Sequence, residues 1–232
     1  MKMNISLITV SDKTDLRGEI EVMTAINFIY EENQVSIYMD TLSLDEKRKP
    51  FKFVSKIYPI PHLRSVICGT GNVDVIMDWV YRVQRNVVAA DIEFLSSVTT
   101  EQLLEIHKKY NTFDVCTTIY QFGYSQIDEK FKGYVYRSTN NFSQEEYDYS
   151  FAIKPHVEFD WKEELKNGLD NAFIKLMTKQ KEMDDKSLTR LGIGGEIHKF
   201  FMTKDAYYLG VLHRFSDYME CYDQILENLK SR

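Results

Sequence analysis

The chain has 232 residues, 44% of them hydrophobic, enough to bury a core and too apolar to read as disordered. A formal net charge of −6 excludes the basic footprint of a nucleic-acid-binding protein. No apolar stretch is long enough to span a bilayer, and 15 Tyr and 14 Phe against 4 Pro favour a sheet-containing structure.

In chain order, "ISLITV" (5–10) has strand propensity but is too short and too interrupted for a secretory signal. "TAINFIY" (24–30) and "QVSIYMDT" (34–41) alternate as strands around the polar "EENQ", which reads as a hairpin with a longer loop. "LDEKRKP" (44–50) reads as a charged surface connection. "KFVSKIYPI" (52–60) and "RSVICGTG" (64–71) complete about four antiparallel strands. The apolar residues Val73, Ile76, Met77, Val80, Val83, Val87 and Val88 then recur at helical spacing over 72–95. A second helix is predicted over 99–110, with Thr99 and Gln102 as a capping box.

Strands resume at 113–124, 133–139 and 147–153. A helix follows over 160–185, weakened near its middle by Gly168. A strand pair over 195–203 and 206–215 and a helix over 216–230 close the chain. Runs of strands and runs of helices that do not alternate indicate an α+β fold, here two antiparallel sheets with helices outside. With no Pro/Gly/Ser linker, one domain is predicted.

The residue inventory excludes some chemistry. Cys68, Cys116 and Cys221 are far apart and form no CxxC pair, which argues against zinc and for a reducing, cytoplasmic compartment. His62, His107, His156, His198 and His213 never frame a glutamate at i, i+4, so there is no zincin motif. "TRLGIGGE" lacks both GK[ST] and GxGxxG and is no phosphate loop. Neither a metal nor an organic cofactor is expected. Trp79, Tyr81, Phe173 and Met177 read as core or subunit contacts.

One spacing stands out. Thr24 opens a strand, Asp40 closes the next sixteen residues later, and Lys56 follows after another sixteen. "MTAINFIYEENQVSIYMDT", Ser55-Lys56-Ile57, Gly69-Thr70-Gly71 and Asp74 together make the region 23–75 resemble the opening of a proteasome β-type subunit or of the HslV peptidase, both N-terminal-nucleophile (Ntn) hydrolases. Over 76–215 the likeness is one of element order, with Gly194-Gly195 as the late glycine pair.

The resemblance implies a four-layer αββα sandwich and a threonine-type peptidase that needs no cofactor. Thr24 would be the nucleophile, its free α-amine the base, Lys56 the neighbouring cation and Asp40 the partner that keeps Lys56 charged. Gly69, Thr70 and Gly71 would offer backbone N–H groups to the oxyanion. It further implies a peptide substrate, a homo-oligomer (dimer or ring), and exposed apolar stripes on the helices over 72–95 and 160–185 for subunit pairing. Residues 1–22 would be an N-terminal extension or pro-segment before a single domain over 23–232.

The sequence departs from the active pattern in three places. Met23, not Gly, precedes Thr24. Arg190 and Ile193 stand where the family places an Asp and a Ser. "SFAIKPHVEFDW" replaces a serine–glycine loop. A threonine peptidase and a non-catalytic assembly or binding protein of the same fold are therefore both open readings.

Overall fold

The structure, a computed structural model, describes residues 24–110 and 115–230. The strand predicted over 5–10, the extension over 1–22 and Met23 lie outside them, as does the start of the strand predicted over 113–124. The first hairpin is β1 (Ile26–Glu31) and β2 (Gln34–Asp40), paired from Ile26↔Met39 to Glu31↔Gln34. Its connection is a two-residue turn, tighter than predicted, because strand pairing consumes both flanking polar residues.

The segment predicted as one strand over 52–60 is two. β3 (Leu42–Leu44) and β4 (Pro50–Phe53) form a small hairpin of their own, so the charged surface connection over 44–50 is the turn of that hairpin with its two flanking strand residues. After a break at 54–56, β5 (Ile57–Ile60) enters a different sheet. The break is fixed in part by the Val54 N–H, which donates to the Thr41 carbonyl at 2.8 Å.

β6 (Ser65–Thr70), β7 (Thr118–Ser125), β8 (Lys130–Arg137) and β9 (Glu145–Glu146) extend that sheet in the order β5-β6-β7-β8-β9. The other five-stranded sheet runs β10-β1-β2-β11-β12, with β10 (Ser150–Lys154), β11 (Glu196–Thr203) and β12 (Tyr207–Arg214). Every strand pairing is antiparallel.

The helices differ from the prediction at their boundaries. α1 (Val73–Arg85) is capped by the Asn72 side chain, which accepts from the Asp74 and Val75 amides. α2 (Ile92–Tyr110) starts seven residues earlier than predicted because Asp91 is its cap, accepting from the Glu93 and Phe94 amides. Thr99, predicted as a cap, is inside α2. Its buried hydroxyl donates to the Leu95 carbonyl and accepts from Gln121 Nε2. The helix predicted over 160–185 breaks at Gly168, whose φ of 92° suits glycine, into the short α3 (Trp161–Glu164) and α4 (Leu169–Asp185). α5 (Tyr218–Lys230) ends the described chain.

Three large apolar clusters hold these elements. One joins Ile26, Phe28 and Tyr30 of β1 and Val35, Ile37 and Met39 of β2 to Val66, Cys68, Tyr120, Phe122 and Val135 of the other sheet. Alternate residues of each strand thus face the opposite sheet, as the period-2 pattern demands. A second packs Val75, Ile76, Trp79 and Val80 of α1 and Leu95, Leu103 and Ile106 of α2 against Ile67, Ile119 and Tyr136. A third packs Phe173, Leu176 and Met177 of α4 against Ala25, Ile29 and Tyr38, with the Tyr38 and Phe173 rings stacked at 3.8 Å. Truncating such a buried ring costs about 3–5 kcal/mol.

Trp79, Phe173 and Met177 are core, whereas Tyr81 is 54% exposed. With Val73 and Met77 it forms an exposed stripe on α1 at i, i+4, i+8. α4 shows no such stripe: Met183 is its one exposed large apolar residue. Its other long apolar side chains are taken up by the sheet.

Candidate active site

The corner where β1 begins, β2 ends and β5 is about to begin collects three polar side chains. Lys56 Nζ donates to Thr24 Oγ1 at 2.9 Å and to both Asp40 oxygens at 3.0 Å. Asp40 is the last residue of β2 and fully buried; the Lys56 side chain is 13% exposed and Thr24 half-buried. The β1–β2 register, carried one step past Ile26↔Met39, sets Ala25 opposite Asp40, and the Ala25 amide donates to Asp40 Oδ1 at 3.1 Å. Lys56 reaches across because residues 54–56 are released from both sheets.

The Asp40 carboxylate is saturated. Beyond Lys56 and Ala25, its Oδ2 accepts from the Leu42 amide at 3.2 Å and the Gly194 amide at 3.3 Å. Burial raises the Asp40 carboxyl above the usual carboxylate range, opposed by Lys56 and by the amides. Burial likewise lowers the Lys56 ammonium below the ordinary lysine value, opposed by Asp40. A lysine with a lowered affinity for its proton, in contact with a hydroxyl, can exchange a proton with it.

The predicted glycine turn enters from a second direction. Gly69 and Thr70 end β6, in register with Ile119 and Thr118, and Gly71 follows with φ 101°. Ile57 pairs with Cys68, so Lys56, one residue before Ile57, and Gly69, one residue after Cys68, lie at the same end of the β5–β6 pair. Gly71 presses on the Cys116 carbonyl, where an added methyl would lie 2.2 Å away, and the Asn72 amide donates to Thr117 Oγ1.

The two positions that depart from the family pattern are used for other purposes. Ile193 is fully buried in the cluster with Phe173 and Ile197. Arg190 is exposed and pairs with Asp185. Neither supplies an oxygen to Thr24. What the sequence reading missed is Asp184, near the C-terminus of α4 and 1% exposed, whose carboxylate accepts from the amides of Leu191, Gly192 and Ile193. An acidic residue six to nine positions before a glycine-rich loop was the available signal.

Two of the three cysteines are buried. Burial raises the Cys68 thiol, between the sheets, well above the ordinary cysteine value, and pushes the Cys221 thiol up to about 11, which disfavours the reactive thiolate. A cleft of about 260 Å³ lies between the β3–β4 hairpin, α4 and α5, lined by Leu42, Lys181, Asp185, Asp217 and Cys221 among others. Neither Thr24 nor Lys56 lines it. Among the described residues, no helix is long and apolar enough to cross a membrane, and no three His, Cys, Asp or Glu side chains gather as a metal ion would require.

The same arrangement of elements occurs in solved structures. Anbu, an ancestral beta-subunit, from Yersinia bercovieri aligns at a TM-score of 0.56 and 13% identity, over 90% of this chain and 95% of that one. A helical assembly of the Anbu complex from Pseudomonas aeruginosa gives 0.55 and 12%, over 90% and 95%. An Anbu mutant from Hyphomicrobium sp. strain MC1 gives 0.56 and 14%, over 90% and 94%. No protein-family model matches the chain, and no curated protein does. The fold is thus α+β and Anbu-like. The sequence resemblance to proteasome β-type subunits or HslV is corrected: these neighbours are ancestral beta-subunits, and a likeness at such identities is one of fold.

Proposed function

We propose that this chain is a threonine-type Ntn hydrolase that cleaves amide bonds in peptides when Thr24 is the N-terminal residue. The observation that carries this reading is the contact of Lys56 Nζ with Thr24 Oγ1 at 2.9 Å while the same nitrogen holds both Asp40 oxygens. A threonine hydroxyl needs an adjacent base. In the 232-residue chain, the Thr24 nitrogen is acylated by Met23 and cannot accept a proton. A free α-amine, with an ordinary pKa of about 8, can.

The hydroxyl oxygen would attack the substrate carbonyl carbon as its proton passes to the α-amine, with the Lys56 cation lowering the cost of the developing negative charge. The C–N bond breaks, the departing amine takes the proton, and an ester to Thr24 Oγ1 remains. Water hydrolyses the ester and restores the hydroxyl. Gly69, Thr70 and Gly71 are the candidate oxyanion donors, at the sheet end that Lys56 shares.

Removal of an initiating methionine before a small residue such as Thr would free the amine, so Met23 is the boundary this reading requires. It divides the chain into an N-terminal extension or pro-segment over 1–22 and one domain over 23–232. The sheet and helix packing supports a four-layer αββα sandwich. We place the protein in the cytoplasm, as a homo-oligomer. The helical assembly of the Pseudomonas aeruginosa neighbour and the Val73, Met77 and Tyr81 stripe support that last point.

A second reading, a non-catalytic assembly or binding subunit, is favoured by one observation: Arg190 and Ile193 are turned to a surface ion pair and to the core. The experiment that separates the two makes the full chain and a form beginning at Thr24. Both are checked by intact mass, and hydrolysis of a fluorogenic peptide library is measured with Thr24→Ala and Lys56→Ala as controls. We expect turnover only from the Thr24-started form. A folded Thr24-started protein no faster than its Thr24→Ala control leaves the non-catalytic reading standing.

A further inference from the structure

Two carboxylates share four consecutive amides in the loop between α4 and β11. Asp184 takes the N–H groups of Leu191, Gly192 and Ile193, the latter two at 2.9 Å each. The next amide, Gly194, turns to Asp40 Oδ2 at 3.3 Å. The Gly194 carbonyl accepts from the Thr41 and Leu42 amides at 3.2 and 3.0 Å, so the loop is clasped to the end of β2 through both backbone polar groups of one residue. Asp184 has no cation among these partners. A buried carboxylate satisfied by backbone amides alone fixes the orientation of those amides, since swinging any one away would strand a buried charge.

We propose that Asp184 is a positioning residue for the Thr24–Asp40–Lys56 site, aiming the Gly194 amide at Asp40 by holding the three amides before it. This rests on the hydrolase reading for its catalytic meaning, but the coupling itself is a property of the fold. With the Gly194 N–H in place, part of the Asp40 charge is engaged by a dipole. Without it, only the Ala25 and Leu42 amides remain on the carboxylate, more of its charge bears on Lys56, and the ammonium holds its proton more tightly.

Other charged groups face this corner. Glu196 of β11 is held by Arg214 of β12 and lies near His198 of β11. Lys154 lies opposite Ile26 on β10. Cys68 is opposite Ile57 on β6. On the loop's far side Lys181 and Arg190 both pair with Asp185. All are retained in the variants below, so a displacement of Lys56 reports the loop.

The test uses the full chain with ¹³C-labelled lysine. Lys56 is assigned through Lys56→Met and its Cε resonance titrated against pH, in wild type and Asp184→Asn. Amide hydrogen exchange is followed over 191–194. We expect Asp184→Asn to move the Lys56 midpoint to higher pH and to speed Gly194 exchange by about tenfold or more, as expected when a protected amide opens locally. If only the amides of 191–193 exchange faster, with Gly194 and Lys56 unmoved, Asp184 anchors the loop and nothing else, and the proposal is overturned. Should Asp184→Asn fail to fold, Asp184→Glu, which keeps the charge but displaces the loop, must give the same two displacements or the proposal likewise falls. Displacements in a protein whose Thr24-started form hydrolyses nothing would leave the coupling intact and remove the hydrolase reading instead.

Discussion

Asp40, which ends β2, and Asp184, one residue before the end of α4, are both buried almost completely, but they are neutralised in different ways. Asp184 is closed off by three amides of one loop. Asp40 takes three amides from three separate stretches and a lysine as well, and that lysine also donates to a threonine hydroxyl oxygen. The first arrangement can only hold shape. The second leaves a proton-bearing group in contact with a nucleophile, and this is the physical difference between a structural carboxylate and a candidate catalytic one.

The comparison breaks most visibly in rate. In the Thr24-started form, Lys56→Ala should lower peptide hydrolysis by about 10²–10⁴-fold, the usual range for an acid–base partner, and Thr24→Ala by at least as much. If the Lys56 variant keeps full kcat, the contact with Thr24 is a packing accident. For stability, Asp40→Ala strands a buried cation and should cost about 3–5 kcal/mol in denaturant unfolding. Asp40→Asn with Lys56→Met removes both charges and should recover most of that loss. Asp184→Ala strands amides rather than a cation and should cost less, about 1–3 kcal/mol.

The pH dependence sharpens the contrast. Lys56 has a lower proton affinity folded than unfolded, so the folded state binds fewer protons, and stability rises with pH from its lowered pKa up to the ordinary lysine value of about 10.4. Asp40, raised above its unfolded value of about 3.9, acts oppositely: its contribution is largest in acid and is lost as pH rises through the raised pKa. Unfolding measured against pH should show both slopes flatten in the Asp40→Asn/Lys56→Met variant. The smallest effect is expected at Arg190, where the exposed pair with Asp185 should be worth within about 0.5 kcal/mol, read as a Tm shift for Arg190→Ala.

Much of the site corner is legible in sequence because local pattern fixes it. Period-2 alternation sets the faces of β1 and β2, and a tight hairpin then brings the start of one strand beside the end of the other, so Thr24 and Asp40 meet whatever the rest of the chain does. Lys56 is legible by spacing, but its reach is not. It depends on the break at 54–56, made by the Val54 amide bonding to Thr41, and no propensity signals that. Asp184 is invisible to motif reading because its partners are backbone amides, which carry no letter. The α1–α2 boundary was misplaced because Val87 and Val88 continue the apolar period. Yet Val88 is 88% exposed, and the chain turns at Asp91, whose capping geometry outweighs periodicity. The exposed stripe expected on α4 is absent because sheet contacts absorb that face.

The glycine run beside the site has one more consequence. A methyl at Gly192 would lie 2.4 Å from Leu44, one at Gly194 2.9 Å from Leu42, and one at Gly195 2.5 Å from Thr41 Oγ1. The β3–β4 hairpin is therefore seated flat on bare backbone. In a saturation library scored for function, these three positions would stand out as intolerant and could pass for chemistry. Scored for abundance alone they should be depleted equally, whereas Thr24 and Lys56 should be depleted far more in the functional score. The difference between the two scores is then a map of the site drawn by selection, with the glycines cancelling out.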